Sequence, residues 1–140
     1  MVRYLFLIVG GMLLFSGCYV KQNVSPVDSV KTKDICIIKN IYDDHDIVGA
    51  YTRALQSKGY KVTVKQSTES NNVCPLTTSF NVHWGFSRGV YLSLLHLYVY
   101  QNGKSVGEAL YDVQGGWASE ISKRKKAEDT VIELVNRLYP

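Results

Sequence analysis

The chain has only three prolines and three cysteines. It contains no apolar stretch approaching the ~20 residues that a membrane-spanning helix needs. Also missing are a phosphate-cradling glycine loop, a nucleophile elbow, a His-Glu-x-x-His zinc motif and a paired-carboxylate motif, so no reaction class is indicated. Charge is sparse: 20% of residues are charged, and the net charge is +4. A dedicated nucleic-acid binder carries much more positive charge, so no nucleic-acid partner is expected. Scarce proline beside ten tyrosines suits a sheet-rich domain.

What is present begins at the first residue. Met1-Val2-Arg3 is a short basic segment, and Tyr4 to Phe15 is an almost unbroken apolar run. At about 12 residues the run fits the apolar region of a signal peptide and is too short to span a bilayer. Ser16 and Gly17 follow, then Cys18. Small side chains suit the narrow pocket of a signal peptidase, and a thiol is the nucleophile that takes up diacylglycerol as a thioether. Leu13-Leu14-Phe15-Ser16-Gly17-Cys18 therefore resembles the bacterial lipobox, with Phe15 where Leu is usual. Cleavage is expected between Gly17 and Cys18, with lipid, including an N-linked palmitate-type chain, on Cys18. Each buried methylene contributes about 0.8 kcal/mol and one chain alone holds weakly, so several chains together anchor durably. Tyr19 rather than Asp follows the acceptor. The absence of that retention-type Asp favours the outer membrane, facing the periplasm.

This partitions the cysteines. If Cys18 carries lipid, Cys36 and Cys74 remain, and an oxidising compartment favours a disulfide between them. Closing such a loop stabilises by roughly 4 kcal/mol on chain-entropy grounds. Two free buried thiols are the alternative. Neither residue has a second Cys or a His at ligand spacing, which disfavours zinc. The expected organisation is a signal peptide over 1–17, a lipidated polar tether over 18–33 and a globular domain over 34–140.

Within that domain, Asp34 to Asn40 reads as a buried strand. Ile47, Val48, Ala50, Tyr51, Ala54 and Leu55 recur at helical spacing before Gly59, giving a helix from about Asp44 to Lys58. Tyr60 to Gln66 alternates as a second strand, completing a βαβ unit. A third strand carries Phe80, Val82, Trp84 and Phe86 on one face. Val90 to Tyr100 and Ser105 to Val113 flank Asn102-Gly103, a strong hairpin signal. Gly107 and Ala109 leave room for a close neighbour. A last helix is expected from about Ser119 to Leu138, with Ala127, Val131, Leu134, Val135 and Leu138 as its apolar stripe. The fold class is α+β, a single βαβββα domain: a five-stranded mixed sheet with both helices on one face.

Cys74-Pro75-Leu76-Thr77-Thr78 leading to Trp84, the run Leu97 to Lys104, Tyr111-Asp112 and Glu133 to Pro140 together resemble the Sbal-type small lipoproteins of Gram-negative bacteria. Ile35 to Asn40, Ala54-Leu55 and Gly59-Tyr60 fit as well. The resemblance covers roughly residues 34–140 and implies an anchor and one domain. It carries over no catalytic residue. His83 and the Asp-rich turn Asp43 to Asp46 depart from the pattern.

Four groups of residues are candidates for function. Asp43-Asp44-His45-Asp46 offers metal ligands, but Asp before a helix is normally a cap. His83 and His96, on adjacent strands, offer acid-base or zinc chemistry with no third ligand in the pattern. Lys123-Arg124-Lys125-Lys126 offers contact with an anionic surface or a plain solvated helix face. Phe80, Trp84, Phe86, Tyr91, Tyr98 and Tyr100 offer a ligand groove or the sheet's core face. The leading expectation is a membrane-anchored periplasmic lipoprotein with a non-enzymatic binding or envelope-structural role. Its partners are the membrane and an envelope protein or glycan; no cofactor, metal or catalytic residue is expected. The alternatives are a metal-dependent or acid-base enzyme using His83/His96 or the Asp43–Asp46 turn, and a small-ligand carrier with an aromatic groove.

Overall fold

The computed structural model of the chain describes residues 19–28, 30–42, 44–68, 74–114, 123 and 125–140. The stretch expected to be a tether begins with a strand. Tyr19–Ser25 (β1) pairs antiparallel with Lys104–Gln114 (β6), in register from Tyr19 opposite Gln114 to Ser25 opposite Glu108. The sheet therefore has six strands, not five. Among its described side chains, Val20 and Val24 pack against the core, and its backbone pairs with β6 along its whole length. Such a polar edge strand leaves little periodic signal in sequence. The segment after it is also held, since Val27 N–H donates to Leu138 C=O at 2.8 Å.

The remaining elements are β2 (Asp34–Lys39), α1 (His45–Ser57), β3 (Lys61–Gln66), β4 (Leu76–Phe86), β5 (Val90–Gln101) and α2 (Ala127–Leu138). The sheet order is β1-β6-β5-β4-β2-β3. β2 runs parallel to both β3 and β4, and the other pairings are antiparallel, so the sheet is mixed as expected. Both helices pack on one face and against each other. Ile37, Leu76, Thr78, Leu95, Leu97, Val99 and Ala109 face them and are fully buried.

Local chemistry explains the helix limits. Asp44 is extended and its carboxylate accepts from Asp46 N–H at 2.8 Å, an N-cap that sets the start of α1. α2 begins at Ala127, later than the expected Ser119, because Lys126 is extended (ψ 140°) at its N-cap. Glu128 and Asp129 then occupy the first turn, where they complement the helix dipole. The expected residues 119–122 lie outside the described residues. Gly107 has the close neighbours its size suggests: an added Cβ would fall 2.7 Å from Val27 Cγ2 and 3.2 Å from Leu138 Cδ1.

The directions of the strands set one end of the molecule. β2, β3, β4 and β6 finish there, while β1 and β5 begin there. Both helix N-termini lie at the same end, around a shared cleft beside Trp84. A bulge between His83 and Trp84 displaces Ser93, whose Oγ donates to His83 C=O at 3.0 Å.

Candidate functional site

Cys36 and Cys74 form a disulfide, with Cα atoms 6.0 Å apart. Cys36 sits in β2, and Cys74 lies two residues before Leu76, which pairs with Ile35 of the same strand. Parallel pairing of β2 and β4 brings together two cysteines 38 residues apart. Gly17 and Cys18, where cleavage and lipidation are expected, lie outside the described residues, as do Asp43 and Arg124. Among the described residues, regular structure begins at Tyr19, the residue after Cys18.

Among the described residues, no helix packs on the sheet face opposite α1 and α2, and that face carries a polar chain. His96, Tyr98 and Asn81 lie on β5 and β4, and Glu108 on β6 stands opposite Tyr98. Glu108 Oε2 can only accept, so His96 Nε2–H donates to it at 3.2 Å. His96 Nδ1 lies 2.8 Å from the Tyr98 hydroxyl, and Tyr98 accepts from Asn81 Nδ2 at 3.4 Å. The imidazole and phenol rings stack, with centroids 4.1 Å apart. This chain engages both ring nitrogens of His96.

His83 and His96 share this face but are not opposite each other. His96 faces Asn81, and His83 faces Leu94. Among the described residues no group of three or more His, Cys, Asp or Glu is arranged to hold a metal ion. Asp44 of the Asp-rich turn is engaged as the α1 cap.

The aromatic set is divided by strand alternation. Phe80 is buried against Tyr51 of α1, edge to face at 6.4 Å. Tyr98 and Tyr100 belong to rows facing away from the helices. Phe86 stands 82% exposed at the β4–β5 turn. These residues do not line one groove.

The basic run is likewise not one free face. Lys125 pairs with Glu133, and this ammonium group holds the Glu133 carboxyl below its ordinary range. Lys126 is exposed and lines a cleft of about 330 Å³ with His45, Arg53, Trp84 and Glu128. Arg53 and Glu128 form an ion pair at 2.8 Å across the two helices. Among the described residues, no helix is long and apolar enough to cross a membrane.

Sequence reasoning missed a buried hydroxyl chain. Thr78 Oγ1 donates to Tyr98 C=O at 2.7 Å. Its single proton being used there, Tyr51 Oη must donate to Thr78 (2.5 Å), and Tyr139 Oη to Tyr51 (2.8 Å). Burial pushes the Tyr51 phenol up to about 12. Tyr139 is raised as well, first by burial and then by the neighbouring Tyr51. The three groups sit between β4, α1 and the end of α2 and are closed to solvent, so the chain is a packing device rather than a reaction site.

No protein-family model matches the chain, and no curated protein matches it. Solved structures do. The chain is similar to a PelC dodecamer from Paraburkholderia phytofirmans, with TM-score 0.55, 15% identity, and coverage of 86% of this chain and 95% of that one. A single-substitution form of that PelC dodecamer gives TM-score 0.56 at 12% identity, over 86% and 94%. A minor lipoprotein from Acinetobacter baumannii is more distant, with TM-score 0.46, 10% identity, and coverage of 76% and 91%. At these identities the PelC likeness establishes a shared fold across nearly the whole domain.

Proposed function

We propose that this protein is a lipid-anchored envelope lipoprotein, cut between Gly17 and Cys18 and held at the outer membrane facing the periplasm. Its domain serves a non-enzymatic binding or envelope-structural role. The observation that carries this reading is the use of the three cysteines. Cys36 and Cys74 are bonded to each other, which leaves Cys18, behind its apolar run and two small residues, as the lipid acceptor. A disulfide also suits the oxidising compartment to which such a signal leads. The non-enzymatic part draws support from the candidate groups themselves: Asp44 caps a helix, and His96 is fixed by Tyr98 and Glu108.

The test of the anchor is Cys18→Ser in cells fed a labelled fatty acid. Label and membrane retention are both expected to disappear; retention of label would overturn the assignment. For the binding role, cross-linking in intact envelopes followed by purification is expected to return a discrete protein or glycan. A second copy of this chain would count as such a partner, since PelC of the same fold is a dodecamer. Recovery of the chain alone and monomeric would contradict the binding role.

A further inference from the structure

The anchor-proximal end of the domain has an uneven surface. Seven large apolar residues are exposed among the described residues, and five lie at this end: Ile41, Tyr42, Trp84, Phe86 and Val90. Single exposed apolar side chains are ordinary, but their collection at one end is not. Phe86 (82% exposed) and Val90 (65%) pair directly across the β4–β5 turn, and Trp84 (42%) stands behind them. Between them Ser87-Arg88-Gly89 closes the hairpin, with Arg88 at φ 55° and Ser87 N–H donating to Gly89 C=O at 3.0 Å. The tip is braced from within. Gly85 lies flat under the Tyr91 ring, where an added Cβ would fall 2.2 Å from Tyr91 Cζ.

The register says how far this hairpin reaches. Lys21, Asp112, Leu94 and His83 form one row across β1, β6, β5 and β4. Along β4, the last strand residue, Phe86, is three residues beyond that row, ~10 Å at the usual strand rise, and the turn carries Arg88 farther. Along β1, Tyr19 is two residues beyond it on the same side, ~7 Å at that rise. The hairpin tip therefore stands at the end of the sheet at which β1 begins, the end nearest the lipid-bearing position. A domain held by lipid on Cys18, one residue before β1, and with this end toward the bilayer brings the tip to the headgroup layer.

We propose that the β4–β5 hairpin enters the lipid bilayer beside Cys18, with Phe86 and Val90 in the acyl boundary, Trp84 at the interface and Arg88 among headgroup phosphates. The inference rests on the anchor reading and adds to it a fixed orientation: sheet strands steep to the membrane, helix N-termini toward it and the Asn102-Gly103 turn away from it. Aromatic and basic side chains are the residue types that settle at this depth.

The test uses the mature lipoprotein reconstituted in phosphatidylethanolamine–phosphatidylglycerol vesicles containing lipids brominated on their acyl chains. Phe86→Trp is made in a Trp84→Phe, Trp117→Phe background, and Lys104→Trp at the opposite end is made in the same background. Quenching of Phe86→Trp by about half or more, with under about a tenth for Lys104→Trp, is expected for a tip at that depth. Equal, weak quenching of both variants in vesicle-bound, lipid-labelled protein overturns the hairpin proposal and leaves the anchor standing. A mature protein without lipid overturns the anchor reading, and the proposal with it.

Discussion

The hydroxyl of Tyr51, in the middle of α1, lies 2.8 Å from the hydroxyl of Tyr139, the residue that caps α2. This bond joins the two helices at a point sealed from solvent, and its polarity follows from the backbone carbonyl that ends the chain. Tyr139 donates to Tyr51, Tyr51 to Thr78 and Thr78 to Tyr98 C=O.

That direction makes the two tyrosines unequal. Tyr51→Phe leaves the Tyr139 O–H without an acceptor and is expected to cost about 1–3 kcal/mol, the penalty of a stranded buried donor. Tyr139→Phe removes only a donor to an oxygen that keeps its own bond to Thr78, and should cost about 0.5–1.5 kcal/mol. Urea unfolding of both variants checks the order. A larger loss for Tyr139→Phe would reverse the assigned direction.

The same pair sets an alkaline limit. Both phenols are raised in the folded state, Tyr51 to about 12, against an ordinary 10.0. Below about pH 10 both states are protonated and the pair's contribution is fully present. As pH rises from about 10 toward 12 the unfolded chain loses these protons first, so stability falls. The urea midpoint is expected to decline over that window, and more gently in Tyr51→Phe. An identical decline in the variant would place the cause in other groups.

Gly107→Ala tests the fit between β6, α2 and the segment after β1. The new methyl would lie 2.7 Å from Val27 Cγ2 and 3.1 Å from Ser25 C=O. Overpacking of this kind costs about 1–3 kcal/mol. Thermal unfolding should show a clear drop, whereas Gly59→Ala should be destabilised by its positive φ alone, having nothing within 4 Å of the added carbon.

Replacing both bridged cysteines, Cys36→Ala with Cys74→Ala, should cost roughly 4 kcal/mol if loop closure dominates. Thiol titration of the unreduced, mature, lipid-modified protein should find no free thiol. A titre of two thiols would contradict the bridge.

The βαβ unit, the Asn102-Gly103 hairpin and the packing room at Gly107 were legible in the sequence because each has a local cause. Ile47 to Leu55 keep helical spacing, Asn102 and Gly103 accept positive φ (51° and 79°), and Gly107 needs only to be small. β1 was not legible: Val20 and Val24 alone cannot make a pattern, and its partner is β6, at the other end of the chain. The break before α2 was not legible because Lys123 to Lys126 have a helix-compatible composition, while Lys126 is extended. The Tyr51–Thr78–Tyr139 chain joins residues 27 and 88 positions apart, a separation that no local periodicity encodes.

Anchoring through Cys18 is tested most directly by the intact mass of the mature protein and of its N-terminal peptide. The expected product is a chain beginning at Cys18, carrying a diacylglyceryl thioether there, with Cys36 and Cys74 still bridged. A chain that begins elsewhere, or begins at Cys18 with an unmodified thiol, would contradict it.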